Sequence, residues 1–160
     1  MKLYLLAFIV SLVYQVAAAS YASNPDCKPL IKDMLYDCGT KDDLLKISNV
    51  TITPPVLKRG SKVEVHIQGH LSGEVTHGSK IFAKVYKGYF RLYNDEKDLC
   101  DLVDKANSTM KCPFQATTIN LKQTVDVPEL PVSGTFAVEV YATSQNKKPI
   151  FNFKANVRAE

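Results

Sequence analysis

From Leu44 onward, apolar residues in this chain recur at every second position rather than every third or fourth. Val50 and Ile52 alternate with Asn49, Thr51 and Thr53, and Val63, Val65 and Ile67 alternate with Lys62, Glu64, His66 and Gln68. Successive side chains of a strand point to opposite faces, so this period marks half-buried β-strands. Further sets are Ile81, Ala83 and Val85; Phe90 and Leu92 after a turn at Gly88; Ile119, Leu121, Val125 and Val127; Phe136, Val138 and Val140; and Phe151, Phe153, Ala155 and Val157. Pro54-Pro55, Gly69, Gly73, Pro128, Pro131 and Gly134 punctuate them. About seven short strands separated by turn signals predict an all-β fold, an immunoglobulin-like antiparallel β-sandwich. Residues 20–43 lack the period. There, Leu30, Ile31, Met34 and Leu35 are spaced for one or two helical turns, and Asn94 to Thr117 is expected to be a long connection.

The first 19 residues are of another kind. Met1-Lys2, the apolar run Leu3 to Val16 and the small residues Ala17-Ala18-Ala19 have the layout of a secretory signal peptide. Removing 19 of 160 residues leaves 141, one domain of ordinary size. Residues 20–36 are read as an N-terminal extension and 37–160 as the domain. Without Lys2, 19 basic and 16 acidic side chains remain, a balance too mild and too scattered for a nucleic-acid footprint. Hydrophobic residues at 46% against 22% charged fit a globular chain rather than a disordered one. No second apolar stretch approaches the roughly 18 residues that span a bilayer. A soluble monomer is expected, secreted or held in the lumen of a vacuole or lysosome-like compartment.

Cys27, Cys38, Cys100 and Cys112 suit that route as two disulfides. Three pairings exist, and spacing favours Cys27–Cys38 and Cys100–Cys112, each worth about 3 kcal/mol in the chain-entropy account. A zinc site would want a Cys-x-x-Cys pair, which the sequence lacks. Asn49-Val50-Thr51 and Asn107-Ser108-Thr109 are glycosylation sequons. An immunoglobulin domain pins its sheets with a disulfide packed on a buried Trp. This chain has no Trp, and local cysteine pairs leave the sheets untied across the core. A cavity between the sheets is thereby permitted.

The sequence offers no catalytic constellation, so no enzyme, cofactor or resident metal is expected. His66, His70 and His77 read as surface histidines. The cluster Asp95, Glu96, Asp98, Asp101 and Asp104 lacks the alternating ligands, central Gly and closing Glu of a calcium loop, and reads as a solvated segment. From Lys80 to Tyr93, Lys80, Lys84, Lys87 and Arg91 are interleaved with Tyr86, Tyr89 and Tyr93. This pattern suits a surface that meets anionic lipid headgroups. It suits better a strand face whose long side chains cover apolar neighbours.

Several words in the sequence carry a resemblance. Asp37-Cys38-Gly39 precedes Leu45-Lys46-Ile47-Ser48-Asn49-Val50-Thr51-Ile52-Thr53-Pro54-Pro55, and Lys58-Arg59-Gly60 precedes the Val63 strand. Asp98-Leu99-Cys100 pairs with Lys111-Cys112-Pro113, and Val125-Asp126-Val127-Pro128-Glu129-Leu130-Pro131 precedes Gly134-Thr135-Phe136-Ala137-Val138. In order and spacing, over residues 37–157, these resemble the ML lipid-recognition domain. They are most similar to fungal phosphatidylglycerol/phosphatidylinositol transfer proteins, and more distantly to the Niemann–Pick type C soluble sterol carrier and mite group 2 allergens. The resemblance implies a sandwich whose sheets enclose the apolar part of one lipid, carried through water or presented to a membrane without covalent chemistry. In that family the cysteine of the Asp-Cys motif usually pairs with one in the last strand. Asn152 stands at that position here, so Cys38 needs another partner, for which Cys27 is the candidate.

The expected inward residues are Val50, Ile52, Val65, Ile67, Ile81, Val85, Leu92, Ile119, Leu121, Val138, Val140, Phe151 and Phe153, with Tyr89, Leu130 and Val132 at the mouth. Plain core packing accounts for each of them as well, because alternation assigns a face and not a cavity. Two functions follow. One is a carrier of phosphatidylinositol or phosphatidylglycerol (or, with the same cavity, of a sterol in intracellular sterol transport) that touches membranes transiently. The other is a secreted immunoglobulin-like interaction module with a filled core.

Overall fold

The computed structural model describes residues 26–55, 58, 60–105, 110–127 and 133–159. The signal segment, Asn107, Leu130 and Val132 lie outside them. Among the described residues the elements are β1 (Lys28–Ile31), β2 (Leu35–Asp37), β3 (Leu45–Thr53), β4 (Lys62–Leu71), β5 (Lys80–Lys87), β6 (Phe90–Asp98), the short helix α1 (Leu99–Lys105), β7 (Thr117–Asp126), β8 (Gly134–Thr143) and β9 (Pro149–Ala159). They form a six-stranded sheet in the order β1-β2-β9-β8-β5-β6 and a three-stranded sheet in the order β3-β4-β7. Every pairing is antiparallel. The seven strands read from the period-two pattern correspond to β3 through β9.

Register explains why the pattern was so regular. In the smaller sheet Ile67 lies opposite both Val50 and Leu121, and Val65 lies opposite Ile52. In the larger sheet Val138 lies opposite both Val85 and Ala155, and Val140 opposite Ala83 and Phe153. Each apolar set thus stacks in rows across its sheet, and a slip of one residue would turn a whole row outward. A bulge between Ile47 and Asn49 interrupts β3 opposite Gly69. A Cβ at Gly69 would stand 2.6 Å from the Lys46 carbonyl oxygen, so the close approach requires glycine.

Two regions depart from the expectation. Residues 28–37 form a hairpin and not helical turns. Leu35, Tyr36 and Asp37 pair with Ala155, Lys154 and Phe153, which gives β9 a partner on the side away from β8. Pairing satisfies backbone groups along a whole strand, whereas an isolated two-turn helix is marginal in water. Asp33, at φ 59°, turns the hairpin in a left-handed conformation that no helix interior accommodates. The second region is the expected connection after Asn94, which instead continues β6 to Asp98 and then forms α1. Asp98 caps that helix: Oδ1 accepts from the Cys100 N–H at 2.9 Å and from the Asp101 N–H at 3.3 Å.

Both disulfides are local. Cys27–Cys38 closes the base of the β1–β2 hairpin, and Cys100–Cys112 ties α1 to the approach to β7. The Cys38 N–H donates to the Asn152 carbonyl at 2.8 Å. The last strand is therefore held opposite Cys38 by backbone pairing, at the position where the resemblance puts a second cysteine.

Candidate functional site

The space between the sheets has two unlike ends. At one end β3, β5, β7 and β9 begin and β4 and β8 finish, and there Leu71, Val75, Ile119, Ala142 and Ile150 form a buried cluster. Leu44, Leu45, Leu99, Met110 and Phe114 pack against it. Backbone pairing of Val75 with Phe114, and a bond from the Leu44 N–H to the Pro149 carbonyl at 3.0 Å, close this end. Its buried polar groups are satisfied. Asp43 accepts from the Thr40 N–H and hydroxyl, and the Ser79 hydroxyl bonds Gln145 Oε1 at 3.1 Å. Burial raises the Asp98 carboxyl, but backbone N–H groups of Gly78, Asp101 and Cys100, with His77 nearby, outweigh it and hold the group below the usual carboxylate range.

At the other end lie the β3–β4 connection, the β5–β6 turn and the β7–β8 connection. Val50, Val63 and Phe136 are buried in this half. Ile52, Val65, Ile67, Val85, Val138, Val140 and Phe153 share their inward parity, yet each remains only partly buried. Inward-facing aliphatic side chains that still meet solvent mean that the two sheets do not interdigitate fully in this half. Buried core of native density would seal them; the closed end comes nearer to that, although Ile81, Leu121 and Phe151 beside its cluster are also only partly buried.

The structure sorts the candidate residues accordingly. Ile119 belongs to the closed-end cluster, and Ile81, Leu121 and Phe151 pack against it. Phe151 stacks on Phe153 with ring centroids 5.0 Å apart, so the aromatic pair marks the boundary between the two halves. Leu92 does not join the inward set. A bulge between Val85 and Tyr86 puts Tyr93 opposite Val85 and Arg91 opposite Tyr86, leaving Leu92 as the extra residue, 52% exposed. Tyr89 stands at the β5–β6 turn, 87% exposed. Leu130 and Val132 fall outside the described residues.

Sequence reasoning set Lys87 among the surface basic residues and missed its inward stem. Lys87 continues the Ile81–Ala83–Val85 series, so its stem lies on the inward face at the open end. Its ammonium sits 5.7 Å from the Phe136 ring centroid and donates to the Ser133 carbonyl at 2.9 Å. Parity along β5 carried that signal, but the charge drew attention to the surface instead. Edge strand β6 shows the opposite case. Tyr93, Asp95 and Lys97 lie opposite Val85, Ala83 and Ile81, yet they form a polar chain in which Tyr93 and Lys97 are exposed and Asp95 is half-buried. Tyr93 donates to Asp95 at 2.8 Å, and Lys97 lies 2.9 Å from the same carboxylate. The hydrogen bond to Asp95 pushes the Tyr93 hydroxyl up, and Lys97 holds Asp95 low. A three-stranded sheet cannot cover a six-stranded one, so the overhanging edge carries charge, which also discourages edge pairing.

His77 comes within 3.9 Å of Asp98 and 3.7 Å of Asp101. Cys100 lies close by, but its sulfur is committed to a disulfide and cannot serve as a thiolate ligand. On the outward face of the larger sheet, Phe82 and Tyr141 stack at 4.6 Å on the floor of a groove of about 460 Å³ rimmed by Lys80 and Lys147. It is separate from the interior.

Comparison with known proteins follows the same lines. The phosphatidylglycerol/phosphatidylinositol transfer protein of Pyricularia oryzae is 29% identical over 126 residues, covering 79% of this chain and 70% of the relative. The protein of the same name in Eremothecium gossypii is 29% identical over 110 residues, 69% of this chain but only 52%, about half, of the relative. The crystal structure of a Niemann-Pick type C2 protein from Japanese carpenter ant superposes with a TM-score of 0.61, covering 78% of this chain and 97% of the other at 17% identity, which establishes a common fold. The model of the ML domain matches residues 32–159, from the β1–β2 hairpin to the end of β9, and this chain is a member of the ML domain family.

Proposed function

We propose that the chain carries a single lipid, phosphatidylinositol or phosphatidylglycerol, and transfers it between membranes. The observation that supports this most directly is the row of inward aliphatic side chains left partly uncovered in one half of the sandwich. An acyl chain placed there gains about 0.8 kcal/mol per methylene removed from water, so a long tail needs no dedicated polar contacts. The Lys87 ammonium at the open end, one hydrogen bond from Ser133, supports an anionic headgroup over a neutral sterol hydroxyl. The fungal relatives, phosphatidylglycerol/phosphatidylinositol transfer proteins, support the same reading. No covalent step is involved.

Native mass spectrometry of the secreted protein, followed by organic extraction, tests the reading. Release of one phosphatidylinositol or phosphatidylglycerol per chain is expected. A folded Val138→Asp variant should lose uptake of labelled lipid from vesicles, because a carboxylate would face the uncovered row. A bare protein that takes up no lipid would overturn the carrier reading in favour of an interaction module.

A further inference from the structure

The exposed large apolar side chains among the described residues are Tyr89, Phe90, Leu92, Tyr93 and Val125. Four of them belong to the β5–β6 hairpin, and Val125 lies near the end of β7, at the same open end. Tyr89 and Phe90 are the extreme cases, 87% and 77% exposed. Gly88, at φ +58°, makes the tight turn that projects them. Scattered exposed apolar residues need no explanation, but four on one hairpin mark a contact surface.

The charge around the tip says what it contacts. Lys87 and Arg91 flank the turn, and the hairpin has no acidic residue from Lys80 to Tyr93. Arg91 is exposed beside Phe90, Lys87 lies opposite Phe90, and Lys58 is exposed in the β3–β4 connection at the same end. Asp126, also at this end, faces Lys62 at 3.6 Å, which offsets its charge. Tyrosine and phenylalanine ringed by cations match an anionic bilayer surface, where aromatic rings settle at headgroup depth and Lys and Arg meet phosphates. A cargo leaving the uncovered half of the interior would enter that surface without crossing water.

We propose that the β5–β6 hairpin docks the open end onto anionic membranes, with Tyr89 and Phe90 entering the interface and Arg91 pairing with lipid phosphates. This extends the lipid-carrier reading and can fail separately from it. The chain contains no Trp, so Tyr89→Trp gives a single reporter at the tip. With vesicles of phosphatidylcholine and about one third phosphatidylglycerol, the protein should float with the lipid, and bromines on the acyl chains should quench the introduced indole. With phosphatidylcholine alone, binding should be about tenfold weaker or less.

The double variant Tyr89→Ser/Phe90→Ser and the single variant Arg91→Glu should each lose about tenfold in partitioning to the anionic vesicles. Lys148→Glu, the same charge reversal on an exposed residue at the closed end, should lose little. Far-ultraviolet circular dichroism checks that each variant is folded. Flotation with an unquenched indole, or undiminished flotation of the double variant, would overturn the docking proposal. So would wild-type protein that carries lipid yet ignores the anionic vesicles, the result expected if the tip instead meets a protein. A protein that floats and quenches but carries no cargo would sink the carrier reading and leave the docking surface standing.

Discussion

The two ends of this sandwich are built from the same alternating strands, yet one buries a larger apolar cluster than the other. At the closed end Leu71, Val75, Ala142 and Ile150 are buried together, a helix and a disulfide lie alongside, and a backbone bond joins Leu44 to Pro149. At the open end the same face of the same strands shows Val65, Ile67, Val85 and Val138 only partly covered. The difference teaches that strand pattern assigns residues to a face, while the connecting segments decide whether that face is filled. The larger buried cluster and the uncovered apolar rows thereby lie at opposite ends of one β-sheet pair.

That contrast can be broken by mutation. Leu71→Ala should cost about 3 kcal/mol in chemical denaturation, because its sealed surroundings leave a cavity behind. Val65→Ala in lipid-free protein should cost about 1 kcal/mol or less, since its side chain already meets solvent, and it should weaken lipid retention instead. Equal losses at the two positions would mean that the open half is packed core after all.

The disulfides sharpen the comparison. Their sequence separations, 11 and 12, are nearly equal, so the chain-entropy account gives each about 3 kcal/mol. Any difference must come from the folded state. Cys100 is wholly buried at the closed end, whereas Cys27 is half-buried at a sheet edge. Replacing Cys100 and Cys112 by Ser should therefore lower stability more than replacing Cys27 and Cys38, as equilibrium urea unfolding of the two double variants would reveal.

The smallest effect concerns Asp98, which bonds Gly78 N–H at 2.7 Å as well as capping α1. Its folded carboxyl titrates below the ordinary value near 3.9, so its ionised form stabilises the fold above that pH, and the contribution is lost as pH falls through the lowered folded value. Asp98→Asn should cost about 1 kcal/mol at neutral pH. The gap between variant and wild type should stay constant down to about pH 5 and close below pH 4. Urea midpoints measured across that range would test it; a gap that opens instead on acidification would reverse the assigned sign.

Legibility in the sequence followed how local each signal was. Strands β3 to β9 were readable because six to ten residues suffice to show a period of two, as Val63, Val65 and Ile67 do. The β1–β2 hairpin was not, because the partner that makes Leu35–Asp37 a strand lies more than a hundred residues away in β9. Helix α1 is too short for periodicity, and its one local signal, the Asp98 cap, was submerged in an acidic run. Leu92 was misassigned because a bulge shifts parity without altering composition. The face taken by the inward rows, Leu92 apart, was legible from alternation. Their incomplete burial was not, since no spacing in one strand encodes the distance to the opposite sheet.

The position of β9 between β2 and β8 bears on how the chain is made. Synthesis runs from the amino end, so the β1–β2 hairpin and β8 exist before the strand that joins them. The larger sheet stays in two pieces until Pro149–Ala159 have left the ribosome. During that interval β2 and β8 each present an unpaired edge, the kind of surface on which another strand can pair.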